Sequence, residues 1–216
     1  MANNFVAELQ SGSARLGMTL PAAAIDTLVA FLLILTKWNQ TFNLTAIREP
    51  SKLVSHHLLD SLAVIRYLRP GSVIDVGAGA GLPGLPIAIA DPNREVQLLD
   101  SNHKKATFLR QAVMELGLAN ASVVDKRVED YQPTEKFQNV VSRAFSDLHD
   151  FTALAGHLCG DGGRLMAMKG LHPHEEIARL PDNWAAEHVF SLDIPQLEAT
   201  RHLVVMQPKS VQVGAH

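Results

Sequence analysis

The sequence predicts an α/β fold in which a helical cap precedes a seven-stranded, mostly parallel sheet that ends in an antiparallel hairpin. Three observations lead to this fold class. Residues 1–70 carry helical patterns and no convincing strand. From residue 72 onward, short apolar runs alternate with helical patterns, which is typical of a parallel sheet with helices on both faces. The last two apolar runs are joined by Asp193 to Arg201, a segment with no room for a helix, so they should pair as a hairpin.

Helix signals place three helices in the cap. Pro21 suits the first turn of a helix over Ala22–Trp38, and Pro70-Gly71 ends a helix over Ser51–Leu68. A third helix is predicted over Asn3–Leu16. Further helices are expected to begin near Leu85, Lys104, Asp147 and His174. The predicted strands are Val73–Val76, Val96–Asp100, Ser122–Asp125, Asn139–Ser142, Arg164–Lys169, His188–Leu192 and His202–Gln207.

Length and composition predict one compact folded unit. The chain has 216 residues, of which 47% are apolar and 19% charged, so it can bury one sizeable core. We expect a helical cap over 1–70, an α/β domain over 71–210 and a disordered tail over 211–216. The single cysteine rules out an internal disulfide and a zinc site made of cysteines, which fits a reducing cytoplasm.

Charge and hydropathy argue against three other classes of protein. The net charge of −3 weighs against a general nucleic-acid binder, although a local basic face can act inside a neutral chain. Residues 1–10 carry an acid and no basic stretch, which weighs against a secretory signal. The apolar run Leu28 to Leu35 is too short to span a bilayer and is predicted to form a buried helix. We therefore expect a cytoplasmic protein without a membrane partner.

A glycine loop follows the first predicted strand. Val73–Val76 leads into glycines at positions 77, 79 and 81 and then into a helix, the form of a nucleotide-binding βαβ unit. A dinucleotide site would have its third glycine three residues after the second, where this chain has Leu82. Asp75 stands just ahead of the loop, where a carboxylate disfavours a pyrophosphate and suits a positively charged sulfonium. The pattern therefore favours S-adenosylmethionine over a dinucleotide.

The ends of the next two strands complete the predicted cofactor site. Asp100 lies 23 positions after Gly77, close to the spacing of the acid that holds ribose hydroxyls. Loops at the carboxyl ends of parallel strands line the ligand crevice. After the third strand, Val128 is placed to close on the adenine, and Glu129 or Asp130 can accept from its amino group.

Missing motifs narrow the predicted reaction. The stretch Val140–Phe145 lacks the Asn/Asp-Pro-Pro-aromatic segment of enzymes that methylate exocyclic amines. Methylation at pyrimidine C5 needs a thiol, and Cys159 is predicted to be a small apolar residue that ends a helix. The acceptor then needs a ready lone pair, such as N7 of guanine, and catalysis is in-line positioning. The predicted catalytic residues are Arg143 and Lys169, since Arg or Lys can bind guanine O6 or phosphate.

Several short motifs together resemble those of the bacterial small-subunit rRNA guanine-N7 methyltransferase family known as RsmG or GidB. They run in order through residues 20 to 209. His56 stands where the family often has Arg, which puts one RNA contact in doubt but not the fold. The motifs are Lys37-Trp-Asn39, Asn43-Leu-Thr45, His57-Leu-Leu-Asp60-Ser61-Leu, Asp75 to Gly84, Leu98 to Ser101, Ser142-Arg-Ala144, Lys169-Gly170 and Arg201 to Val205.

The resemblance implies a Rossmann-like class I S-adenosylmethionine-dependent methyltransferase. Its implied target is guanine 527, in the family's numbering, in the 530 loop of 16S rRNA, methylated without a covalent intermediate. It adds cofactor contacts, so the complete predicted cofactor-binding set is Asp75, Gly77, Gly79, Gly81, Leu82, Asp100, Val128, Glu129 and Arg143. The predicted RNA-binding set is Asn39, His57, Lys104, Arg127, Lys169 and Arg201. We expect a monomer that binds 16S rRNA in the small subunit or an assembly intermediate, with no DNA and no metal.

Alternatives remain for single residues and for the whole chain. Asn39 can simply end a helix, His57 and Asp60 can be a structural pair, and His172-Pro-His174 can be a solvated loop. A small-molecule methyltransferase would close its cap over a modest pocket, and its acceptor binding would depend little on salt. A non-catalytic module that recognises RNA or a ribosomal protein would bind no cofactor.

Overall fold

A computed structural model of the chain describes residues 2–209. The tail predicted to be disordered, 211–216, lies outside the described residues. The α-helices are α1 (Ala2–Arg15), α2 (Ala22–Phe42), α3 (Pro50–Leu53), α4 (Asp60–Leu62), α5 (Gly84–Ala90), α6 (His103–Glu115), α7 (Leu148–Ala155) and α8 (His174–Ala178). A π-helix covers Val54–Leu59, and 3₁₀-helices cover Ile65–Tyr67 and Gly156–Leu158. The strands are β1 (Val73–Val76), β2 (Val96–Asp100), β3 (Ala121–Asp125), β4 (Phe137–Ser142), β5 (Cys159–Lys169), β6 (Trp184–Ser191) and β7 (His202–Pro208).

The seven strands form one sheet in the order β3-β2-β1-β4-β5-β7-β6. The strands from β1 to β5 pair in parallel, and β7 runs antiparallel to both β5 and β6. The predicted fold class, including the C-terminal hairpin, is confirmed. The strand order reverses between β1 and β4, so a ligand crevice is expected at the carboxyl ends of these two strands.

Several predicted boundaries differ from the structure. β4, β5 and β6 begin earlier than predicted because their first residues already pair with neighbouring strands. Cys159 is buried and caps the end of the 3₁₀-helix Gly156–Leu158, as predicted, and it also begins β5, where it pairs with Phe137 of β4. The strand runs through the glycines at positions 160, 162 and 163, ahead of its predicted start at Arg164.

Most of the segment Ser51–Leu68 is helical, but the prediction that it forms a single helix is wrong. α3 passes into the π-helix and then into α4, and the backbone N–H of Asp60 donates to the C=O of Ser55, five residues earlier. Ser61 Oγ donates to the His57 C=O at 2.6 Å. Single π turns inside helices are frequent at functional sites. Here the π-helix carries His57, and α4 begins at Asp60, both of them buried.

The cap and one face of the sheet share a single hydrophobic core. Leu9 of α1, Leu32 of α2 and Leu58 of the π-helix belong to the same buried cluster as Leu85 of α5 and Leu98 of β2. Full burial of one leucine contributes about 2 kcal/mol, so this cluster fixes the cap against the sheet. α2 is long and apolar enough to span a membrane, but its apolar face is buried in this core. A second cluster covers the other face of the sheet beneath α7.

Candidate active site

Two cavities adjoin at the carboxyl edge of the sheet. They meet after β4, where Arg143 lines one and Ala144 lines the other. The first, which we call the loop cavity, has a volume of about 170 Å³ and is lined by Val76, Gly77, Leu99, Asp100, Ser101, Lys126, Arg127, Val128, Glu129, Ala144 and Phe145. The second, the arginine cavity, has a volume of about 340 Å³ and is lined by Thr45, Ala46, Ile47, His56, His57, Asp60, Arg143, Met168, Lys169, Gly170 and Arg201.

The amides of the glycine loop are bonded within the protein. The N–H groups of Gly77 and Ala78 both donate to the Leu99 C=O, at 2.8 and 3.0 Å. The Gly79 N–H donates to Asp100 Oδ2 at 2.8 Å. Gly77 has a φ of +72°, and a Cβ on it would stand 2.7 Å from that of Ala144. A dinucleotide loop offers its amides to a pyrophosphate, whereas these three amides are already bonded inside the fold.

Asp75 supports the loop from beneath rather than facing a ligand. Its carboxylate is fully buried, and Oδ2 accepts from the Gly84 N–H, the first residue of α5, at 2.8 Å. Burial raises the pKa of Asp75 to about 7, against the lowering effects of the Gly84 hydrogen bond and of Arg143. A Cβ on Gly84 would collide with Leu98, which is why the chain has glycine there. In place of the predicted direct contact with a sulfonium, Asp75 therefore accepts a hydrogen bond from the first residue of α5.

Asp100 keeps acceptor capacity toward the loop cavity. Besides Gly79, it accepts from the Asn102 N–H through Oδ1 at 2.8 Å. An ionised carboxylate has about four acceptor positions, so positions remain for hydroxyl donors. Val128 is partly buried on the second core cluster and forms an apolar part of the wall, and the neighbouring Glu129 is exposed. This arrangement is suited to a ribose beside an adenine.

The structure separates the predicted cofactor-binding residues into three groups. Gly77, Asp100, Val128 and Glu129 line the loop cavity together. Arg143 lines the arginine cavity instead. The remainder, which lie outside the residues lining either cavity, are Asp75, Gly79, Gly81 and Leu82.

A buried carboxylate orders the arginine cavity. Asp60 is 1% exposed and binds Arg143 Nη1 through Oδ2 at 3.0 Å and Arg201 Nε through Oδ1 at 3.1 Å. The two arginine side chains are 31% and 24% exposed. A buried ion pair of this kind adds little net stability, but it fixes geometry. Asp60 thus holds two guanidinium groups in place at the wall of a cavity, with further N–H donors available to an acceptor-rich ligand.

His57 lines the same cavity as a neutral ring. It is 1% exposed, and Nε2 lies 3.3 Å from Thr45 Oγ1. Burial, followed by the charge of Arg143, lowers the pKa of His57 to about 4. Nδ1 is buried and has no hydrogen-bond partner among residues 2–209.

Asn39 fixes the Thr45 segment instead of offering its amide to RNA. Asn39 is 5% exposed, Nδ2 donates to the Thr45 C=O at 3.0 Å, and Oδ1 accepts from the Thr45 N–H at 2.9 Å. Asn43, at the end of α2, has a φ of 51°, in the left-handed region. The structure therefore favours the helix-end interpretation of Asn39 over the predicted RNA contact.

Lys169 has a structural partner set. Its Nζ donates to the C=O groups of Phe145 and Ser146 at 3.2 and 2.8 Å and to Glu176 Oε2 at 2.7 Å. An ammonium group has three donors, and these contacts use all three. Lys169 therefore holds the segment after β4 against α8, and its predicted role in catalysis and phosphate binding stays a prediction.

The other predicted RNA-binding cations differ in environment. Lys104 is exposed at the start of α6. Arg127 is 72% exposed, with Nη1 3.7 Å from Glu129 Oε1, and it lines the rim of the loop cavity. Arg201 lies in the arginine cavity. Arg127 and Arg201 thus line one each of the two adjoining cavities, whereas Lys104 lines neither.

Asp60 and Glu176 fix the positions of cationic side chains at the site. Neither residue belongs to the predicted catalytic, cofactor-binding or RNA-binding sets. Asp60 stands in an apolar stretch of the sequence, and an acid that is buried in such a stretch needs a cationic partner. The sequence therefore indicates that Asp60 has a cationic partner, but it does not identify which arginine or lysine that partner is. Glu176 carries no comparable signal, because its contact with Lys169 depends on the packing of α8.

Two chemistries are disfavoured by the residues themselves. Cys159 lies at the opposite end of β5 from Lys169, and burial raises the pKa of its thiol to about 11. A thiol in this state, far from the cavities, is unsuited to nucleophilic attack. Among residues 2–209, no group of three His, Cys, Asp or Glu side chains is arranged to hold a metal ion.

Comparisons with known proteins agree with this fold over most of the chain. Among solved structures, a SAM-dependent methyltransferase from Aquifex aeolicus matches 73% of this chain and 93% of its own, with a TM-score of 0.56 and 18% identity. TrmN from Thermus thermophilus matches 79% of this chain and 53% of its own, with a TM-score of 0.55 and 19% identity. The sheet is thus the Rossmann-like class I methyltransferase fold.

Sequence relatives are much closer than these structures. A ribosomal RNA small subunit methyltransferase G from Chromobacterium violaceum is 53% identical over 93% of this chain and 96% of its own length. One from Nitrosospira multiformis is 48% identical over 94% and 98%. The model of the GidB family, rRNA small subunit methyltransferase G, matches residues 24–204. The chain therefore belongs to the rRNA small subunit methyltransferase G family.

Proposed function

We propose that this chain transfers a methyl group from S-adenosylmethionine to N7 of a guanine in 16S rRNA. The observation that carries the proposal is the pair of arginines fixed by Asp60 directly beside the loop cavity. The names of its relatives, ribosomal RNA small subunit methyltransferase G, supply the substrate class. The finer assignment, to guanine 527 in the 530 loop, follows from the family resemblance alone.

S-adenosylmethionine fits the residues of the loop cavity. The Asp100 carboxylate suits the ribose hydroxyls, and Val128 suits the face of the adenine ring. The amides of the glycine loop already donate to Leu99 and Asp100, so they do not need a phosphate as their acceptor. When bound, this cofactor supplies an electrophilic methyl group on a sulfonium.

The arginine cavity suits guanine as the acceptor. Guanine presents O6 and N7 as acceptors at one edge, and N7 must stay free for the methyl group. Arg143 and Arg201 can then donate to O6 or to a flanking phosphate, while Asp60 keeps both guanidinium groups in place. The N7 lone pair would form the bond to the methyl carbon while the carbon–sulfur bond of the sulfonium breaks and leaves a neutral thioether. No proton has to leave, so a general base is not required. Catalysis by this chain is therefore positioning of the acceptor.

Exposed cations beside the cavities extend the proposed RNA contact. Arg127, at the rim of the loop cavity, and Lys104, at the start of α6, are both exposed, so phosphate groups can reach them. We further propose that the protein acts as a cytoplasmic monomer without a membrane or DNA partner. The burial of the apolar face of α2 in the shared core supports the absence of a membrane partner.

Labelled cofactor and candidate substrates test the proposal directly. Undermethylated small subunits and free 16S rRNA are incubated with S-adenosylmethionine labelled in the methyl group, and the labelled nucleotide is identified. We expect label at guanine N7. Cofactor binding without label in either substrate would contradict the rRNA assignment. A small-molecule enzyme is the second candidate, and acceptor binding that does not weaken as salt rises would favour it.

A further inference from the structure

We infer that a third cavity, lined by a stack of histidines, binds a nucleobase next to the target guanine in the RNA. The cavity has a volume of about 740 Å³ and lies between residues 145–147, after β4, and residues 170–179, after β5. We call it the histidine groove. The inference rests on the proposed function, since it concerns a neighbouring nucleotide of the same substrate.

The imidazole rings in the groove are already arranged as a stack. The ring centroids of His172 and His174 are 3.7 Å apart with an interplanar angle of 24°. His202, at the start of β7, meets His172 at 5.3 Å and 74°. His172 and His174 are exposed, and Pro173 between them is buried. RNA bases that leave the helical stack are commonly held on aromatic side chains, histidine included.

The groove is continuous with the two cavities of the proposed active site. Met168, Lys169 and Gly170 line both the histidine groove and the arginine cavity. Phe145 lines both the groove and the loop cavity. A single strand whose guanine enters the arginine cavity therefore has its neighbouring nucleotide at the mouth of the groove.

The charges of the groove favour a base over a phosphate. Lys169 is bonded to Glu176 at 2.7 Å, and Arg179 to Asp147 at 3.1 Å, so both cations of the wall already face acids. Partial desolvation, followed by the nearby His174 and His202 rings, lowers the pKa of His172 and favours its uncharged form. With Glu175, the wall carries three acids against two paired cations, so it disfavours a phosphate, and the uncharged His172 ring matches the flat face of a base.

An exposed leucine adds apolar surface to the same wall. Leu171, between Gly170 and His172, is 78% exposed, the highest value among the exposed large apolar side chains of the described chain. It lines the groove together with the histidine pair. An apolar side chain beside a ring stack enlarges the surface that a base can cover.

Steady-state methylation of undermethylated small subunits by the full chain tests the inference. In His174→Ala we expect KM for the subunit to rise about tenfold, equivalent to about 1.4 kcal/mol and within the range for one stacked base. His174→Phe, which keeps an aromatic ring, should restore KM. The matched control is His188→Ala, an exposed histidine beside Phe190 on β6, which should leave KM unchanged.

Salt dependence separates stacking from phosphate binding. The slope of log KM against log salt should be the same for His174→Ala as for the wild type, because stacking releases no counterions. Arg127→Ala should lower that slope by about one. An unchanged KM in His174→Ala, a His174→Phe as weak as the alanine variant, or a reduced salt slope in His174→Ala would each overturn the inference. A wild-type chain that methylates no small subunit would instead overturn the proposed function.

Photo-crosslinking locates the contact. A photoreactive phenylalanine analogue at position 174 should crosslink to a nucleotide adjacent to the methylated guanine. A crosslink only to a ribosomal protein, or only to a distant nucleotide, would show a different occupant of the histidine groove.

Discussion

The loop cavity and the arginine cavity adjoin but are built in different ways. The loop cavity depends on backbone amides and on one acid 21 residues from the glycine that it binds. The arginine cavity depends on charged side chains, with Asp60 bonded to residues 83 and 141 positions away. The first is therefore set by a local βαβ unit, and the second by the packing of the cap against the far end of the sheet. Substitutions in the cap should therefore weaken binding or positioning of the acceptor and leave the affinity for the cofactor unchanged.

The largest expected effect is a loss of methyl transfer in Asp60→Asn. An amide in place of the carboxylate removes the charge that holds Arg143 and Arg201, and a displacement of about 1 Å can cost about 100-fold in rate. We expect kcat/KM for small subunits to fall by about that factor, while the affinity for S-adenosylmethionine stays near that of the wild type. Steady-state methylation and calorimetry measure the two quantities.

Asp26→Asn, an exposed aspartate on α2, is the matched control for this variant and should retain full activity. Equal losses of cofactor affinity and of transfer in Asp60→Asn would contradict the separation of the two cavities.

The second effect concerns the cofactor side. Asp100→Ala removes the acceptor of the Gly79 and Asn102 amides and the proposed partner of the ribose. Each charge-assisted hydrogen bond contributes about 1.5–3 kcal/mol, so we expect S-adenosylmethionine to bind about 30-fold more weakly. Asp125→Ala is a close control, because Asp125 ends the neighbouring strand in register with Asp100. If the two variants lose equal affinity, Asp100 has no special role.

The third effect tests the structural role of Lys169. Lys169→Met and Glu176→Gln each remove part of the tie between the segment after β4 and α8, so both should reduce transfer by a similar factor of roughly ten, about 1.4 kcal/mol. Neither should change the salt dependence of RNA binding. A salt slope lower by about one in Lys169→Met alone would show that Lys169 contacts phosphate after all.

The smallest expected effect is the net pH dependence of stability, because the contributions of Asp75 and His57 change with pH in opposite directions. Asp75 has its pKa raised to about 7, so its contribution to stability is present below pH 4 and is lost as pH rises toward 7. His57 has its pKa lowered to about 4, so its contribution is present above pH 6.5 and is lost as pH falls toward 4. Each group changes the free energy of unfolding by at most about 1.4 kcal/mol per pH unit.

Between pH 4 and 6.5 the two contributions oppose each other, and single variants should separate them. Relative to the wild type, Asp75→Asn should make the free energy of unfolding rise more steeply with pH. His57→Asn should make the free energy of unfolding fall as pH rises. Urea unfolding at three pH values in this range measures the slopes. Identical slopes in the wild type and both variants would contradict the burial of these two groups.

The same difference explains how much the sequence could predict. The alternation of strands and helices, the glycine loop and Asp100 follow from a local pattern whose geometry is repeated wherever a βαβ unit binds a nucleotide. The placement of Asp75 beneath α5 did not follow, because a carboxylate at a strand end can turn either toward a ligand or toward a helix start. The pairing of Asp60 with Arg201 did not follow either, since no local rule relates residues so far apart. The bonds of Lys169 to Ser146 and Glu176 did not follow from the sequence, because they depend on how α8 packs beside the segment after β4.

The central claim is that Arg143 serves the acceptor and not the cofactor. Calorimetric binding of S-adenosylmethionine to Arg143→Ala, combined with its methyl transfer to undermethylated small subunits, tests this claim most directly. We expect a cofactor Kd close to that of the wild type together with a loss of transfer of about 100-fold. A loss of cofactor affinity as large as that of Asp100→Ala would contradict the claim and assign Arg143 to the loop cavity.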